Sequence, residues 1–428
     1  MIRVIFILAI LLLIDFYLFQ GIRHLTRSIG TQYAKGIQIA FWIVTIVSLA
    51  IIISGTLADW RSWPKALRTY MFAFVFVTYF SKLFMLFFML LDDLYRLVQW
   101  IFYKFIDSSP SSVTEGTLEP SKNSIPRSDF IIRLGAIVAA IPFTSLLFGM
   151  IKGKYEYQVR KLNLTSAKIS KPFNGFKVVQ ISDLHVGSFN SAEPLKRAVQ
   201  MINDLKPDII FFTGDLVNDK HDELLPYKNV LADLKATEGV FSVLGNHDYG
   251  DYYRWGSDNE KVENLQKLKM IQKQMGWNLL LDEHITLNRN GSLLNIAGVQ
   301  NWSGRRNFAK YGNLNKALKN IPKDGFNILM SHDPSHWKEQ ILQHEVNIDL
   351  TLSGHTHGFQ FGIEIPGFKW SPVQYVYNEW AGSYVDKDQS LYVNRGLGFL
   401  GYPGRVGILP EITYIELNSG ENHNFYSS

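Results

Sequence analysis

The 428-residue chain is expected to be an α/β domain preceded by an all-α region of membrane-spanning helices. Three observations lead there. Long apolar runs crowd into the N-terminal third, short β-rich runs alternate with helical patterns from Phe176 onward, and carboxylates, imidazoles and an amide stand where those β-rich runs end. A mean hydropathy near zero averages two unlike parts.

Four runs are long and apolar enough to cross a bilayer, which takes roughly 20 residues at helical rise. They extend from Ile2 to Phe19, Gly36 to Ile53, Tyr70 to Leu91 and Phe130 to Met150. The first has only Arg3 as an early side-chain charge and no small-X-small cleavage site after Leu18, so it reads as an uncleaved anchor. The organisation expected is a three-helix membrane region over 1–106, a polar linker over 107–128, a fourth helix over 129–151, a connector over 152–175 and a soluble domain over 176–428. Asp15 and Lys82 fall within apolar runs. Asp15 lies near a span end, Lys82 is long enough to snorkel, and two isolated charges do not make a transport relay.

Loop charge gives two opposed clues to orientation. Arg23, Arg27 and Lys35 in one loop are matched by Arg61, Lys65 and Arg68 in the next. The stretch Pro126-Arg127-Ser128-Asp129-Phe130-Ile131 resembles a degraded twin-arginine export signal and points outward, whereas Lys152, Lys154, Arg160 and Lys161 point to the cytoplasmic side.

A net charge of +5, with no basic stripe interleaved with aromatics, leaves no nucleic-acid partner to expect. With no cysteine, any metal falls to histidine, carboxylate and amide ligands.

Strands are expected at Phe176–Ser182, Asp208–Thr213, Val240–Leu244, Leu293–Val299, Phe326–Ser331 and Asp349–Ser353. Between the first two, Leu195, Ala198, Val199, Ile202 and Leu205 share one helical face behind a capping Ser191. Asp183 and His185 follow the first strand, Asp215 the second, Asn246, His247 and Asp248 the third, His332 a later one, and His355 and His357 the last. Strand ends are where α/β proteins place ligand sites, and the glycines at 214, 245 and 354 let those turns approach closely.

These blocks read Asp183-Leu184-His185, Gly214-Asp215, Gly245-Asn246-His247-Asp248, Ser331-His332-Asp333 and Gly354-His355-Thr356-His357-Gly358. Together, and in this order, they resemble the calcineurin-like metallophosphoesterase superfamily. The membrane-attached arrangement and the ending from Asn394-Arg395-Gly396 through Arg405 to Pro410-Glu411-Ile412 are similar to a bacterial subgroup of it. The resemblance implies a four-layer αββα sandwich with the site at the strand ends. It also implies two divalent metal ions, with Asp183, His185 and His357 on one, Asn246, His332 and His355 on the other, and Asp215 bridging. Mn is the first choice and Fe or Zn the others, since oxygen and imidazole ligands suit all three.

The reaction implied is hydrolysis of a phosphate ester by a metal-bridging hydroxide. His247 would contact the phosphate and protonate the leaving oxygen, with Asp248 orienting its imidazole or capping the following turn. Asn246 and Arg405 join His247 as candidate substrate contacts, Arg405 being as suited to structure as to phosphate. Arg305, Arg306 and Arg395 read as solvated or ion-paired. The aromatics Trp370, Tyr375, Tyr377 and Trp380 read as core packing ahead of a lipid or nucleobase pocket, and His221, His284, His336 and His344 as structural.

The leading expectation is a membrane-anchored phosphodiesterase, its substrate lipid-derived or from the cell envelope. A phosphomonoesterase or nucleotide-lipid pyrophosphohydrolase would use the same ligands. A catalytically silent membrane scaffold would be expected to lose ligands or His247, and the chain keeps both.

Overall fold

A computed structural model describes residues 2–58, 60, 63–105 and 127–427. Residues 107–126 of the expected linker lie outside these. Two compact units divide at Phe148 and Gly149.

The first unit is helical: α1 (Ile2–Leu25), α2 (Thr31–Leu57), α3 (Lys65–Phe105) and most of α4 (Arg127–Ile151). All four are long and apolar enough to span a bilayer, and the protein is a multi-pass membrane protein. The 41-residue α3 is about 60 Å long at helical rise and exceeds the hydrocarbon thickness, and the apolar run from Tyr70 to Leu91 lies inside it. Lys82 does not snorkel. Its Nζ lies 2.5 Å from Oδ1 of the fully buried Asp15, which also accepts from the Tyr79 hydroxyl at 2.8 Å.

The second unit alternates strands and helices: β1 (Gln158–Ser166), β2 (Phe176–Ile181), α5 (Glu193–Asp204), β3 (Ile209–Phe212), α6 (Lys228–Ala232), β4 (Val240–Ser242), α7 (Asp258–Gln274) and β5 (Trp277–Leu279). It continues with β6 (Glu283–Arg289), β7 (Ser292–Gly298), α8 (Leu314–Ala317), β8 (Phe326–Met330), α9 (Ser335–Glu339) and β9 (Leu350–Ser353). The hairpin β10 (Ile363–Ile365) and β11 (Phe368–Trp370) follows, then β12 (Gly382–Asp386), β13 (Gln389–Val393), β14 (Glu411–Ser419) and β15 (Asn424–Ser427). One sheet has the order β15-β1-β14-β2-β3-β4-β5 and the other β12-β13-β9-β8-β7-β6.

The layers follow from side-chain alternation. Along β2 and β3, Val179, Ile181, Ile210 and Phe212 face α5, α6 and α7, while Val178, Ile209 and Phe211 face the second sheet. In that sheet Ile328 and Met330 face inward, and Leu329 packs outward with Leu314, Ala317 and Trp337 of α8 and α9. Strands apolar on both faces are what a sheet covered on both sides requires, and the result is an αββα sandwich.

Two local expectations are corrected. Residues 152–175 are not merely a connector, because β1 lies inside the first sheet, parallel to β14 from Gln158↔Glu411 to Ser166↔Ser419. Helix α5 is not capped by Ser191; Ala192 holds the cap position without a side-chain bond, and Pro194 stands in the first turn, where its missing N–H costs nothing.

Candidate metal centre

Strands β2, β3 and β4 are mutually parallel, as are β8 and β9, so each set delivers its C-terminal turns to one edge. Five side-chain-bearing residues in these turns, Asp183, His185, Asp215, His355 and His357, have left-handed backbone. That conformation is uncommon outside glycine and is concentrated where a fold holds functional groups. Two glycines allow the turns to meet: a Cβ on Gly354 would lie 2.2 Å from Asp183 Oδ2, and one on Gly245 2.2 Å from Asp215 Oδ1.

Two groups of ligand-type atoms result, each within 4.8 Å of one another: Asp183, His185 and His357, and Asp215, His332 and His355. In the first, His357 Nε2 lies 3.3 Å from Asp183 Oδ1 and 3.1 Å from His185 Nε2. In the second, His332 Nε2 lies 3.2 Å from Asp215 Oδ2, and Asn246 Oδ1 lies 3.1 Å from His332 Nε2 and 2.8 Å from His355 Nδ1. The same Asp215 oxygen is 3.5 Å from His185 Nε2, so one carboxylate faces both groups.

The donor set fits a pair of divalent cations. Burial alone would raise the Asp183 and Asp215 carboxyls, but neighbouring imidazoles, His357 for Asp183 and His332 for Asp215, hold both below the usual range. Burial also lowers His185 and His355, keeping their lone pairs available. Against burial, the Asp215 charge pushes His332 up to about 10, a protonation that places positive charge where a cation would supply it.

Contacts behind the ligands fix their direction. Nδ1–H of His332 donates to the Thr213 carbonyl at 2.7 Å, which aims Nε2 into the site. Nε2–H of His355 donates to the Tyr377 hydroxyl at 2.9 Å, and that hydroxyl donates to Asp333 Oδ2 at 3.1 Å. Asn246 donates its amide N–H to the Tyr252 hydroxyl at 2.9 Å, turning its oxygen toward the imidazoles. Asp333, Tyr377 and Tyr252 were not singled out as site residues by the sequence reading. Asp333 carried a signal as the neighbour of His332; the tyrosines carried none. Tyr377 is thus more than core packing.

His247 stands at the rim, with Nδ1–H donating to the Asn218 carbonyl at 2.7 Å and its backbone N–H to Asp215 Oδ1 at 2.9 Å. The expectation that Asp248 orients this imidazole is corrected. Both Asp248 oxygens are taken by backbone N–H groups: Gly245 and Asp215 at 2.9 Å on Oδ2, and Leu216 at 2.8 Å and Val217 at 3.2 Å on Oδ1.

Arg405 is not a phosphate contact in this structure. Its guanidinium is buried, donating from Nη2 to the carbonyls of Gly398 at 2.6 Å and Arg395 at 2.8 Å and from Nε to Gly398 at 2.9 Å. Arg395 is ion-paired, at 2.6 Å to Glu411 and 2.7 Å to Glu364. Arg305, partly exposed, and Arg306, exposed, line the cavity above the two ligand-type groups, which has a volume of about 640 Å³. Arg305 lies 4.3 Å over the Tyr377 ring. His336 and Ser331 bond to each other at 2.8 Å, and His221, His284 and His344 make contacts outside the site.

Residues 2–154 match the family described as probable calcineurin-like phosphoesterase, transmembrane domain, and residues 176–359 match calcineurin-like phosphoesterase. A transmembrane protein with metallophosphoesterase domain from Danio rerio is 29% identical over 291 residues, 65% of this chain and 62% of that protein. The chain therefore spans less than two thirds of the zebrafish relative. The metallophosphoesterase YkuE of Bacillus subtilis is 31% identical over 264 residues, 60% of this chain and 84% of that protein. YkoQ of the same organism is 27% identical over 285 residues, covering 66% and 97%. With its two ligand groups at the ends of parallel strands, the chain belongs to the calcineurin-like metallophosphoesterase family.

Proposed function

We propose that the protein is a membrane-anchored phosphodiesterase with a dinuclear metal centre, Mn being the first choice. The observation that carries this reading is the shared Asp215 oxygen, 3.5 Å from His185 and 3.2 Å from His332. Asp183, His185 and His357 would hold one cation, Asn246, His332 and His355 the other, with Asp215 between them. Such a pair activates water toward phosphorus and neutralises charge on the phosphoryl oxygens.

The chain's own residues complete the chemistry. Water adds to phosphorus, the ester P–O bond breaks, and His247 supplies a proton to the departing oxygen from Nε2, since its Nδ1–H is held by Asn218. Arg305 and Arg306 on the cavity wall suit the phosphoryl oxygens. Phe359, Val373 and Val376 on another part of the wall offer apolar surface for the second alcohol of a diester, which favours diester over monoester.

The test uses the purified full chain in detergent, with bound metal measured and bis-p-nitrophenyl phosphate compared with p-nitrophenyl phosphate in Mn(II). Metal-dependent diester hydrolysis that collapses in Asp215→Asn and His247→Gln, with His247→Gln retaining metal, is expected. A monoester preference would replace the substrate class alone, and bound metal without turnover on either ester would replace the enzyme by a scaffold.

A further inference from the structure

The hairpin β10–β11 is built inside out. Its register pairs Ile363 with Trp370, Glu364 with Lys369 and Ile365 with Phe368, so one face carries four apolar side chains and the other a charged pair. The charged face is the one turned into the domain. Glu364 forms ion pairs at 2.7 Å with both Arg160 and Arg395, and Lys369 donates to the Ala381 carbonyl. The apolar face looks outward, with Ile363, Ile365 and Phe368 each at least half exposed. In water this is the reverse of ordinary patterning, and a contiguous outward apolar face marks a surface meant to be covered.

Chain continuity identifies what covers it. Within the second unit, the C-terminal end of the α4 span, from Gly149 onward, meets the segment Arg405–Val406: Arg405 N–H donates to the Gly149 carbonyl at 3.2 Å, and a Cβ on Gly153, just past α4, would meet the Arg405 carbonyl oxygen. That segment pairs with the approach to the hairpin, Val406 N–H donating to the Gln360 carbonyl at 2.8 Å and Gly362 N–H to the Val406 carbonyl at 2.9 Å. The hairpin begins at the next residue, Ile363. Its base therefore lies about 10 Å from the end of a span, two backbone spacings away. The headgroup layer is itself roughly 5–8 Å deep.

Apolar side chains are exposed at the cavity as well. Phe359 and Val376 line the cavity and are also exposed on the protein surface. We infer that the outward face of the Ile363–Trp370 hairpin lies in the bilayer interface, and that the cavity takes phosphoesters whose apolar part stays in the membrane. The substrate half of this inference rests on the hydrolase reading above; the docking half does not.

The chain has no cysteine, so single labels can be placed cleanly. Ile365→Cys, and Asn290→Cys in the turn between β6 and β7 as the reference, are labelled with an environment-sensitive fluorophore in full chain reconstituted into phosphatidylcholine–phosphatidylglycerol vesicles carrying nitroxide lipid. Quenching at 365 several-fold above that at 290 is expected. Equal quenching at both overturns the docking, as does efficient disulfide formation between two copies at 365, which would make a second protomer the cover. In parallel, hexadecyl p-nitrophenyl phosphate in the vesicles is compared with soluble methyl p-nitrophenyl phosphate. The wild type is expected to prefer the hexadecyl ester about tenfold, and Ile365→Asp with Phe368→Asp to lose that preference while keeping the methyl rate. An unchanged preference in the double variant overturns the substrate half. Failure to hydrolyse either ester overturns the hydrolase reading, while the quenching comparison still decides the docking.

Discussion

Asp248 Oδ2 accepts the backbone N–H of Asp215 at 2.9 Å, so the carboxylate that follows His247 in sequence holds the turn that presents Asp215, whose Oδ2 faces both histidine groups. It does so from full burial and with four N–H groups on its two oxygens. Removing it strands four buried donors, and each unsatisfied group costs about 1–3 kcal/mol before relaxation. Asp248→Ala is expected to destabilise the protein by about 4 kcal/mol and to lose bound metal. Asp248→Asn, which keeps one acceptor oxygen, is expected to lose less. Denaturant unfolding of the full chain in detergent, with metal content measured alongside, checks both; wild-type metal content in Asp248→Ala would refute this role.

The relay from His355 Nε2–H to the Tyr377 hydroxyl to Asp333 fixes which imidazole nitrogen faces the site. Partners behind a ligand typically govern metal affinity by about 10–100-fold. Tyr377→Phe and Asp333→Asn are each expected to weaken one of two Mn(II) binding events in titration calorimetry by that factor. The event assigned to Asp183, His185 and His357 should not move. Two unchanged events in both variants would show that His355 is positioned by its own loop alone.

The five blocks were legible because each is a short contiguous run at the end of one strand, and three of them set a glycine directly beside the candidate ligand. What escaped depends on distance along the chain or on direction. Tyr377 reaches Asp333 across 44 residues, and β1 reaches β14 from the other end of the domain. Asp248 was misread because adjacency to His247 suggested contact, whereas neighbours in a tight turn point apart. Arg405 stayed open between structure and phosphate because sequence shows a charge and not its burial, and nothing near it in sequence announces the carbonyls of Arg395 and Gly398 that absorb its donors.

His336 is buried away from the ligand groups, and burial lowers its imidazole to about 4. Its folded value lies below the ordinary one near 6.5, so between these the unfolded chain binds the extra proton. Its contribution is fully present above about pH 6.5 and is lost as pH falls toward 4, an effect of about 3 kcal/mol. His336→Gln, unable to titrate, is expected to show a flatter decline of unfolding free energy across this window. The same slope in both proteins would place the acid sensitivity elsewhere.

The Asp15–Lys82 pair decides between an ion path and a packing device in the helical unit. Asp15 is fully buried and bonded to both Lys82 and Tyr79, and Lys82 also donates to Thr45 at 3.1 Å, so its charge is engaged within the bundle. Breaking a buried pair leaves one charge uncompensated and costs about 3–5 kcal/mol, whereas removing both charges is often close to neutral. Asp15→Asn is therefore expected to lower the resistance of the full chain to denaturing detergent markedly, and Asp15→Asn with Lys82→Met to recover most of it. Phosphodiester turnover should be preserved in the double variant once it is folded. A double variant as unstable as the single, or a folded one that has lost turnover, would show that the pair does more than neutralise itself inside the membrane.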